Sequence, residues 1–280
     1  GYTHNFAIGG CVWSKFQGTY PVVSPGFIVK LDGTGVCEWI LETSTNLIET
    51  DGEIEDIYVD GNDSIYVTGY YANVNFGFGS SIEFDNCVEA NECSYGGFVA
   101  KLAANGTWQW ARSIDYNGTN PSTALSETNE HIEPWKIIVE DNGDYIVYGG
   151  CKGNIAPNSE CQDTNFGPRS SFVMKFWGEN GTLQWAKTLD PIDNTWQSDI
   201  SIDHNNDIYV SGGFGCSSTS SCTVIDDFPP ISMSQSTGIF IAKLFENGTW
   251  AWINSAGQNS CGSAPGPTDN RLMTVLTDSN

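Results

Sequence analysis

The residues of this chain best suited to chemistry are its oxygen ligands, and they gather in short acidic stretches. Asp60, Asn62 and Asp63, then Asp141 and Asp144, then Asp203, Asn205 and Asp207 offer the hard oxygen donors that a Ca²⁺ ion takes. None of these stretches continues into an EF-hand loop with its closing Glu, so turn chemistry competes with calcium at each, and Asp203, Asn205 and Asp207 stand as the calcium candidates. The chain has only three histidines. His4 and His204 read as residues of acidic turns and His131 as a loop residue, which leaves no Ser-His-Asp arrangement and no histidine metal cluster. Among 34 acidic residues no pair of carboxylates stands out as an acid and base. The expectation is a protein that is not an enzyme and has no cofactor beyond the calcium candidates. An enzyme such as a polysaccharide lyase or a quinoprotein would need a convergent polar pocket.

Nine cysteines point to an oxidising compartment. Cys87 with Cys93, Cys151 with Cys161, and Cys216 with Cys222 lie close together in the sequence, and three local bridges that each staple one loop are the expected pairing. Zinc knuckles would want Cys-x2-Cys spacing, which none of them has. Of the other three, the expected pairing is Cys37 with Cys261, which would leave Cys11 free or intermolecular. Acceptor sequons for N-glycosylation occur at Asn62, Asn105, Asn117, Asn180 and Asn247, while Asn120 is blocked by Pro121. Asn-Gly is also the preferred two-residue hairpin turn, but a turn does not require the Thr that follows the Gly at Thr107, Thr182 and Thr249. N-glycans are therefore expected on at least some of these sites.

The net charge of −23 excludes a nucleic-acid reader, which needs a basic footprint, and disfavours an anionic membrane surface. A strongly acidic coat suits solubility in salty water or loose attraction of divalent cations. No apolar run is long enough to span a bilayer as a helix. No signal peptide precedes Gly1, as expected of a mature or trimmed form.

These residues are set on a repeating frame. Phe27-Ile28-Val29-Lys30 with Trp39, Phe98-Val99-Ala100-Lys101 with Trp110, Phe172-Val173-Met174-Lys175 with Trp185, and Phe240-Ile241-Ala242-Lys243 with Trp252 are four copies of one motif. Their lysines lie 71, 74 and 68 positions apart, and Lys to Trp is 9, 9, 10 and 9. A second motif, strand, acidic turn and strand ending in Gly, interleaves with the first at Ile57–Gly69, Ile138–Gly149 and Ile200–Gly212, with the acidic residue nine positions before the Gly each time. Each unit thus holds two hairpins, or four short strands, with Asn, Asp and Gly at the turns. Four antiparallel strands make a propeller blade. Trp108 and Trp250 precede Trp110 and Trp252 by two positions, and the period of a strand puts each pair on one sheet face, as blade-to-blade packing or as a sugar-stacking platform.

The chain ends continue the pattern. Asn5, Phe6, Ala7 and Ile8 read as a second strand and Met273, Thr274, Val275, Leu276 and Thr277 as a first strand, and the Lys spacing counted across the join of the two ends is 67. The expected fold is all-β, one domain over residues 1–280: a β-propeller of four four-stranded repeats of about 70 residues, with one blade shared between the termini. The repeats run approximately 1–46 with 262–280, 47–115, 116–190 and 191–261. A cut inside a blade leaves an edge that must be paired, either by the same molecule, closing a ring, or by the next, giving a head-to-tail chain.

The combination of Phe98-Val99-Ala100-Lys101-Leu102, Asn105-Gly106-Thr107-Trp108-Gln109-Trp110-Ala111 and Asp207-Ile208-Tyr209-Val210-Ser211-Gly212-Gly213 resembles the secreted bacterial and archaeal β-propeller repeat family of the SBBP type. The resemblance covers essentially the whole chain and implies a propeller on the cell exterior, often part of a larger surface protein, with no catalytic residues to transfer. A smaller likeness, in the Gly-then-Trp hairpins, links it to quinone-dependent propeller repeats. The expected function is that of a non-catalytic structural subunit of a surface layer, appendage or filament, extracellular or on the cell surface, a homo-oligomer or homopolymer joined by its terminal strands. The alternative is a glycan-binding adhesin or lectin.

Overall fold

A computed structural model describes residues 2–8, 11–17, 26–43, 52–71, 73–75, 83–85, 87–89, 92–93, 96–114, 131–156, 159–161, 170–189, 199–215 and 237–257. Strands and tight turns account for nearly all of them, with no helix among the described residues, so the chain is all-β. It divides into two compact units, Gly1–Asp115 with Thr119–Thr128 and Tyr116–Gly118 with Asn129–Asn280.

The first unit begins with β1 (Tyr2–Ile8) and β2 (Cys11–Gln17), paired to each other, then β3 (Gly26–Leu31) and β4 (Cys37–Thr43), also a pair. β5 (Gly52–Val59) and β6 (Ile65–Tyr71) follow, then the short hairpins β7 (Asn73–Asn75) with β8 (Glu83–Asp85) and β9 (Cys87–Glu89) with β10 (Glu92–Cys93), and last β11 (Gly96–Leu102) and β12 (Trp108–Ile114). β5, β6, β11 and β12 form one antiparallel meander, and the two short hairpins fill the connection between its halves. Alternate residues of its central strands, Ile65 and Val67 on β6 with Phe98, Ala100 and Leu102 on β11, are buried together with Tyr71 and with Ile28 of β3. Trp39, Leu41, Ile54, Trp108 and Ala111 pack against them. Burying a side chain such as Phe98 contributes about 2 kcal/mol.

The second unit holds two such sheets. β13 (His131–Val139), β14 (Tyr145–Ala156), β16 (Ser170–Phe176) and β17 (Leu183–Leu189) form one, with β15 (Ser159–Cys161) on the far end of β14. β18 (Asp199–Ile202), β19 (Ile208–Gly215), β20 (Thr237–Leu244) and β21 (Trp250–Gly257) form the other. Three of the expected repeats therefore contain a four-stranded meander of two joined hairpins.

The first repeat differs. Asn5, Phe6, Ala7 and Ile8 are in a strand, as expected, but β1 pairs with Cys11–Gln17, Phe6 standing opposite Trp13, rather than with the Phe27 strand. A local hairpin closes over a shorter loop and loses less chain entropy. Met273 to Thr277 lie outside the described residues. His4 is accordingly a strand residue, and His131 opens β13 opposite Lys152, so neither sits in the turn or loop expected of it.

The turns also depart from a two-residue design. In Ala103–Thr107 the amide of Gly106 donates to Ala103 O at 2.9 Å and the amide of Ala103 to Thr107 O at 2.8 Å, with Gly106 at φ +83°. Bonds of the same kind close the turns that start at Asp32, Asp60, Glu140, Asp203 and Phe245, with Asp63 and Asn206 in the left-handed role at two of them. This is a type I turn followed by a bulge, one residue longer than the Asn-Gly turn expected.

The bulge has a consequence for the tryptophans. Trp108 stands opposite Leu102 and Trp110 opposite Lys101, with the ladder slipping between them. Leu102 and Lys101 are neighbours and face opposite ways, so Trp108 and Trp110 lie on opposite faces of the sheet rather than on one. Trp108 joins the core, whereas Trp110 meets the ring of Tyr66 edge-on at 6.0 Å and lies under the guanidinium of Arg112 at 4.0 Å. Trp250 and Trp252 are separated in the same way, opposite Leu244 and Lys243.

Candidate functional site

The recurring polar residues converge where the acidic turn of a repeat meets the Lys of the Phe-x-x-Lys strand. In the last sheet, Lys243 Nζ lies 2.8 Å from Asp207 Oδ2 and 3.4 Å from Asp203 Oδ2. The other oxygen of Asp203 accepts the amides of Asn205 at 2.9 Å and Asp207 at 3.1 Å, and Tyr209 donates its hydroxyl to Asp203 Oδ2 at 3.2 Å. Lys243 also stands 4.9 Å above the Tyr209 ring. Two of the three calcium candidates are thus brought together, but around an ammonium. A calcium ion would have to displace Lys243 and compete with the backbone donors on Asp203. Among the described residues no group of His, Cys, Asp and Glu is arranged to hold a metal ion.

Burial alone would raise the Asp203 pKa, but the amides of Asn205 and Asp207 and the Lys243 ammonium outweigh it and hold it below the ordinary carboxylate value. Lys243 is pushed above its ordinary value, chiefly by Asp207 and Tyr209. A depressed carboxylate contributes stability that is present above its unfolded pKa of 3.8 and lost as pH falls through the folded value. The raised lysine contributes below its unfolded value of 10.5 and loses that as pH rises through the folded one. Asp203→Asn should therefore cost about 2 kcal/mol at neutral pH and little once the carboxylate is protonated. Urea denaturation at pH 7 and at a pH below the depressed folded-state value of Asp203 measures this, and an equal loss at both would refute it.

The preceding sheet carries a dry version of the same pair. Lys175 Nζ donates to Glu140 Oε1 at 2.6 Å, with both side chains almost wholly buried, and Glu246 Oε1 lies 3.5 Å from the same ammonium. Burial is the main cause of a raised Glu140 pKa, opposed by Lys175. Glu140 Oε2 is buried without a hydrogen-bond partner among the described residues. Asp144, also buried, accepts the Gly178 amide at 2.9 Å and the Gln184 side chain at 2.9 Å, tying the two hairpins of this sheet together.

A second contact recurs between repeats. Once in each unit, the Trp opposite a motif Lys covers the turn of the next repeat. In the first unit, Trp39 Nε1 donates to Ala104 O at 3.2 Å, Lys30 Nζ donates to the same oxygen at 3.3 Å, and the indole lies on Gly106, where an added Cβ would be 3.0 Å from its Cδ2. In the second unit, Trp185 Nε1 donates to Glu246 O at 3.1 Å and its indole lies on Gly248, where a Cβ would be 2.7 Å from Cδ2. Each carbonyl lies two residues before the glycine. Lys and Trp spacing announced the repeat, but nothing in the sequence says which turn the pair grips, because that turn is 65 residues away in the first unit and 61 in the second.

The sequon asparagines Asn105, Asn180 and Asn247 are exposed at turns, and each accepts the amide of its own sequon Thr through Oδ1, at 3.0, 2.8 and 2.9 Å. Their Nδ2 atoms are the ones a glycan would take. Asn62 is exposed at the Asp60 turn, and Asn117 lies outside the described residues. Cys87 stands opposite Cys93 in the β9–β10 ladder, the juxtaposition a bridge between them needs. Cys161 stands opposite Gly153, two residues beyond Cys151. Cys37 takes the ladder position of Trp108 and Trp250, while Cys216, Cys222 and Cys261 lie outside the described residues.

No protein-family model matches this chain, and no curated protein is significantly similar to it.

Proposed function

We propose that the chain is a non-catalytic β-propeller protein of the cell exterior, of the SBBP repeat type, serving as a structural subunit of a surface layer, appendage or filament. The observation that carries this reading is how the recurring side chains are used. Lys30, Lys175 and Lys243, with Trp39 and Trp185, are engaged with the acidic turn of their own repeat or the hairpin turn of the next. The residues that define the repeat are thus occupied in joining strands and repeats, which is the work of a scaffold. Disulfides Cys87–Cys93, Cys151–Cys161 and Cys216–Cys222 staple the long connections in this reading, and N-glycans on Asn105, Asn180 and Asn247 extend from turn tips where a carrier can reach them. The acidic coat keeps such an assembly soluble and disfavours attachment to nucleic acid or anionic lipid.

Assembly proceeds by strand addition. β1 is half of a two-stranded sheet among the described residues, so its outer edge presents backbone donors and acceptors to Met273–Thr277 of a neighbour. Light scattering over a range of concentrations should show oligomers that vanish when Met273 to Thr277 is deleted. A strict monomer before and after deletion would overturn the reading.

A further inference from the structure

The three Asn-Gly-Thr turns set one residue directly across from the sequon threonine. Phe245 N donates to Thr249 O at 2.9 Å and Trp177 N to Thr182 O at 2.9 Å, as Ala103 N does to Thr107 O at 2.8 Å. Residues paired across a hairpin in this way carry their side chains on one face. The acceptor asparagine lies between them, two residues after Ala103 and Phe245 and three after Trp177.

At two of the three turns that residue is a large aromatic held in solvent, Trp177 being 51% exposed and Phe245 46%. The turn does not need it. Ala103 opens a turn of the same form as Phe245, with Gly106 at φ +83° against +79° for Gly248. In all three the amide of the Thr is already satisfied by the Asn side chain. The described turns without Asn-Gly-Thr open instead on an acid, at Asp32, Asp60, Glu140 and Asp203. Asp32, Asp60 and Asp203 use that position to accept two amides of their own turn. Among the described turns, an aromatic thus stands first only where an Asn-Gly-Thr follows. Packing between repeats does not claim it either. Trp185 covers Gly248, which is buried, and leaves Phe245, Asn247 and Thr249 of the same turn exposed together.

We infer that Phe245 and Trp177 are stacking platforms for the first pyranose of an N-glycan on Asn247 and Asn180, the sugar folding back over the turn against the aromatic ring and the Thr beside it. One face of a pyranose is lined with C–H bonds, whose hydrogens meet the negative face of an aromatic ring, and the contact takes apolar area of both out of water. The occupant is fixed by attachment. A sugar tethered through Asn Nδ2 is presented to the ring at the high effective concentration of a short linker, so the stack forms without the entropy cost of recruiting a free ligand. Asn105, with Ala103 in the same place, holds its glycan without a platform and is the internal comparison. This inference rests on the reading that these asparagines are glycosylated, and adds that two of the sites bind the sugar they carry.

The test uses the full chain secreted from a host that N-glycosylates its secreted proteins. Mass spectrometry of glycopeptides reads occupancy first. If neither Asn180 nor Asn247 is occupied, the glycosylation reading falls and this inference with it. On the occupied protein, proton NMR of the glycan should show the C–H protons of the first sugar on Asn247 moved upfield by the ring current of Phe245, and back at their ordinary positions in Phe245→Ala. Trp177→Ala should do the same at Asn180, and Ala103→Phe should create the upfield shift at Asn105. Urea denaturation supplies a second readout. Asn247→Gln should lower the folding equilibrium constant about fivefold more in the parent than in Phe245→Ala, because the hydrogen bond from Thr249 N is lost in both backgrounds and cancels in the comparison. If an occupied site keeps the same sugar shifts after its aromatic is removed, the inference fails and the glycosylation reading stands. An Asn105 sugar left unshifted by Ala103→Phe would overturn the claim that the residue across from the Thr makes the platform.

Discussion

Lys175→Ala should destabilise the protein by about 4 kcal/mol, because it leaves the Glu140 carboxylate buried without its counter-ion. Glu140 Oε1 would then join Oε2 as an unsatisfied acceptor in a dry site. Glu140→Ala should cost less, since Glu246 still lies 3.5 Å from Lys175. The pair itself is not the source of stability. Glu140→Leu with Lys175→Met should restore most of the loss, because two apolar side chains of similar volume avoid the desolvation of two charges.

The pH dependence separates this from simple loss of packing. Burial raises the Glu140 pKa in the folded state, so the contribution of its protonated form is full below the unfolded value of 4.5 and is lost as pH rises through the folded one. Without Lys175 to oppose burial that effect grows, and Lys175→Ala should regain stability on going from pH 7 to pH 5 while the double variant does not. Guanidinium denaturation at the two pH values measures it, and a Lys175→Ala loss that is the same at both would show that Glu140 is not the group left behind.

Gly149→Ala should cost about 3 kcal/mol through overpacking. A Cβ there would overlap the carbonyl oxygen of Glu133 and lie 2.7 Å from Pro134 Cα and 2.8 Å from Phe172 Cζ. The crowding comes from the partner strand, which bulges between Pro134 and Lys136 directly across from Gly149. Gly69 repeats the arrangement, facing a bulge between Ile54 and Asp56 with the carbonyl of Glu53 in the place of a side chain. Gly61→Ala, at a turn with nothing within 4 Å, should change stability little. Thermal denaturation compares them, and equal melting temperatures for Gly149→Ala and Gly61→Ala would show that the bulge gives way at little cost.

The glycine nine residues after each acidic turn was visible as a spacing, and its reason was not. A bulge is a choice made by two strands together, and Gly149 alone does not show that its partner will carry Pro134 across from it. The tryptophans teach the same point. Period-two alternation put Trp108 and Trp110 on one face, and the slip between Lys101 and Leu102 sent them to opposite faces. That slip follows from a turn one residue longer than Asn-Gly suggests, closed by Gly106 in the left-handed region. The same one-residue difference decides that Trp108 enters the core and that Trp110 meets Tyr66 on the other face.

What the amino-acid order settled by itself is local. The strands around Phe98, Tyr145, Phe172 and Phe240, the hairpin turns at Asp, Asn and Gly, the all-β class and the number of meanders in residues 47–261 all follow from alternation and turn chemistry within about a dozen residues. What only the tertiary structure decided is partnership. Asp203 and Asp207 looked like oxygen ligands waiting for a cation because the ammonium that meets them is 40 residues beyond Asp203 in the chain. Trp39 meets Ala104 across 65 residues, and β1 turned to Cys11–Gln17 instead of the strand its repeat position implied. Local conformation is set by short-range sterics and hydrogen bonds that the sequence carries in order. The counter-ion of a buried charge and the cover of an apolar face are set by whichever residue folding brings there, and residue spacing along one chain does not identify it.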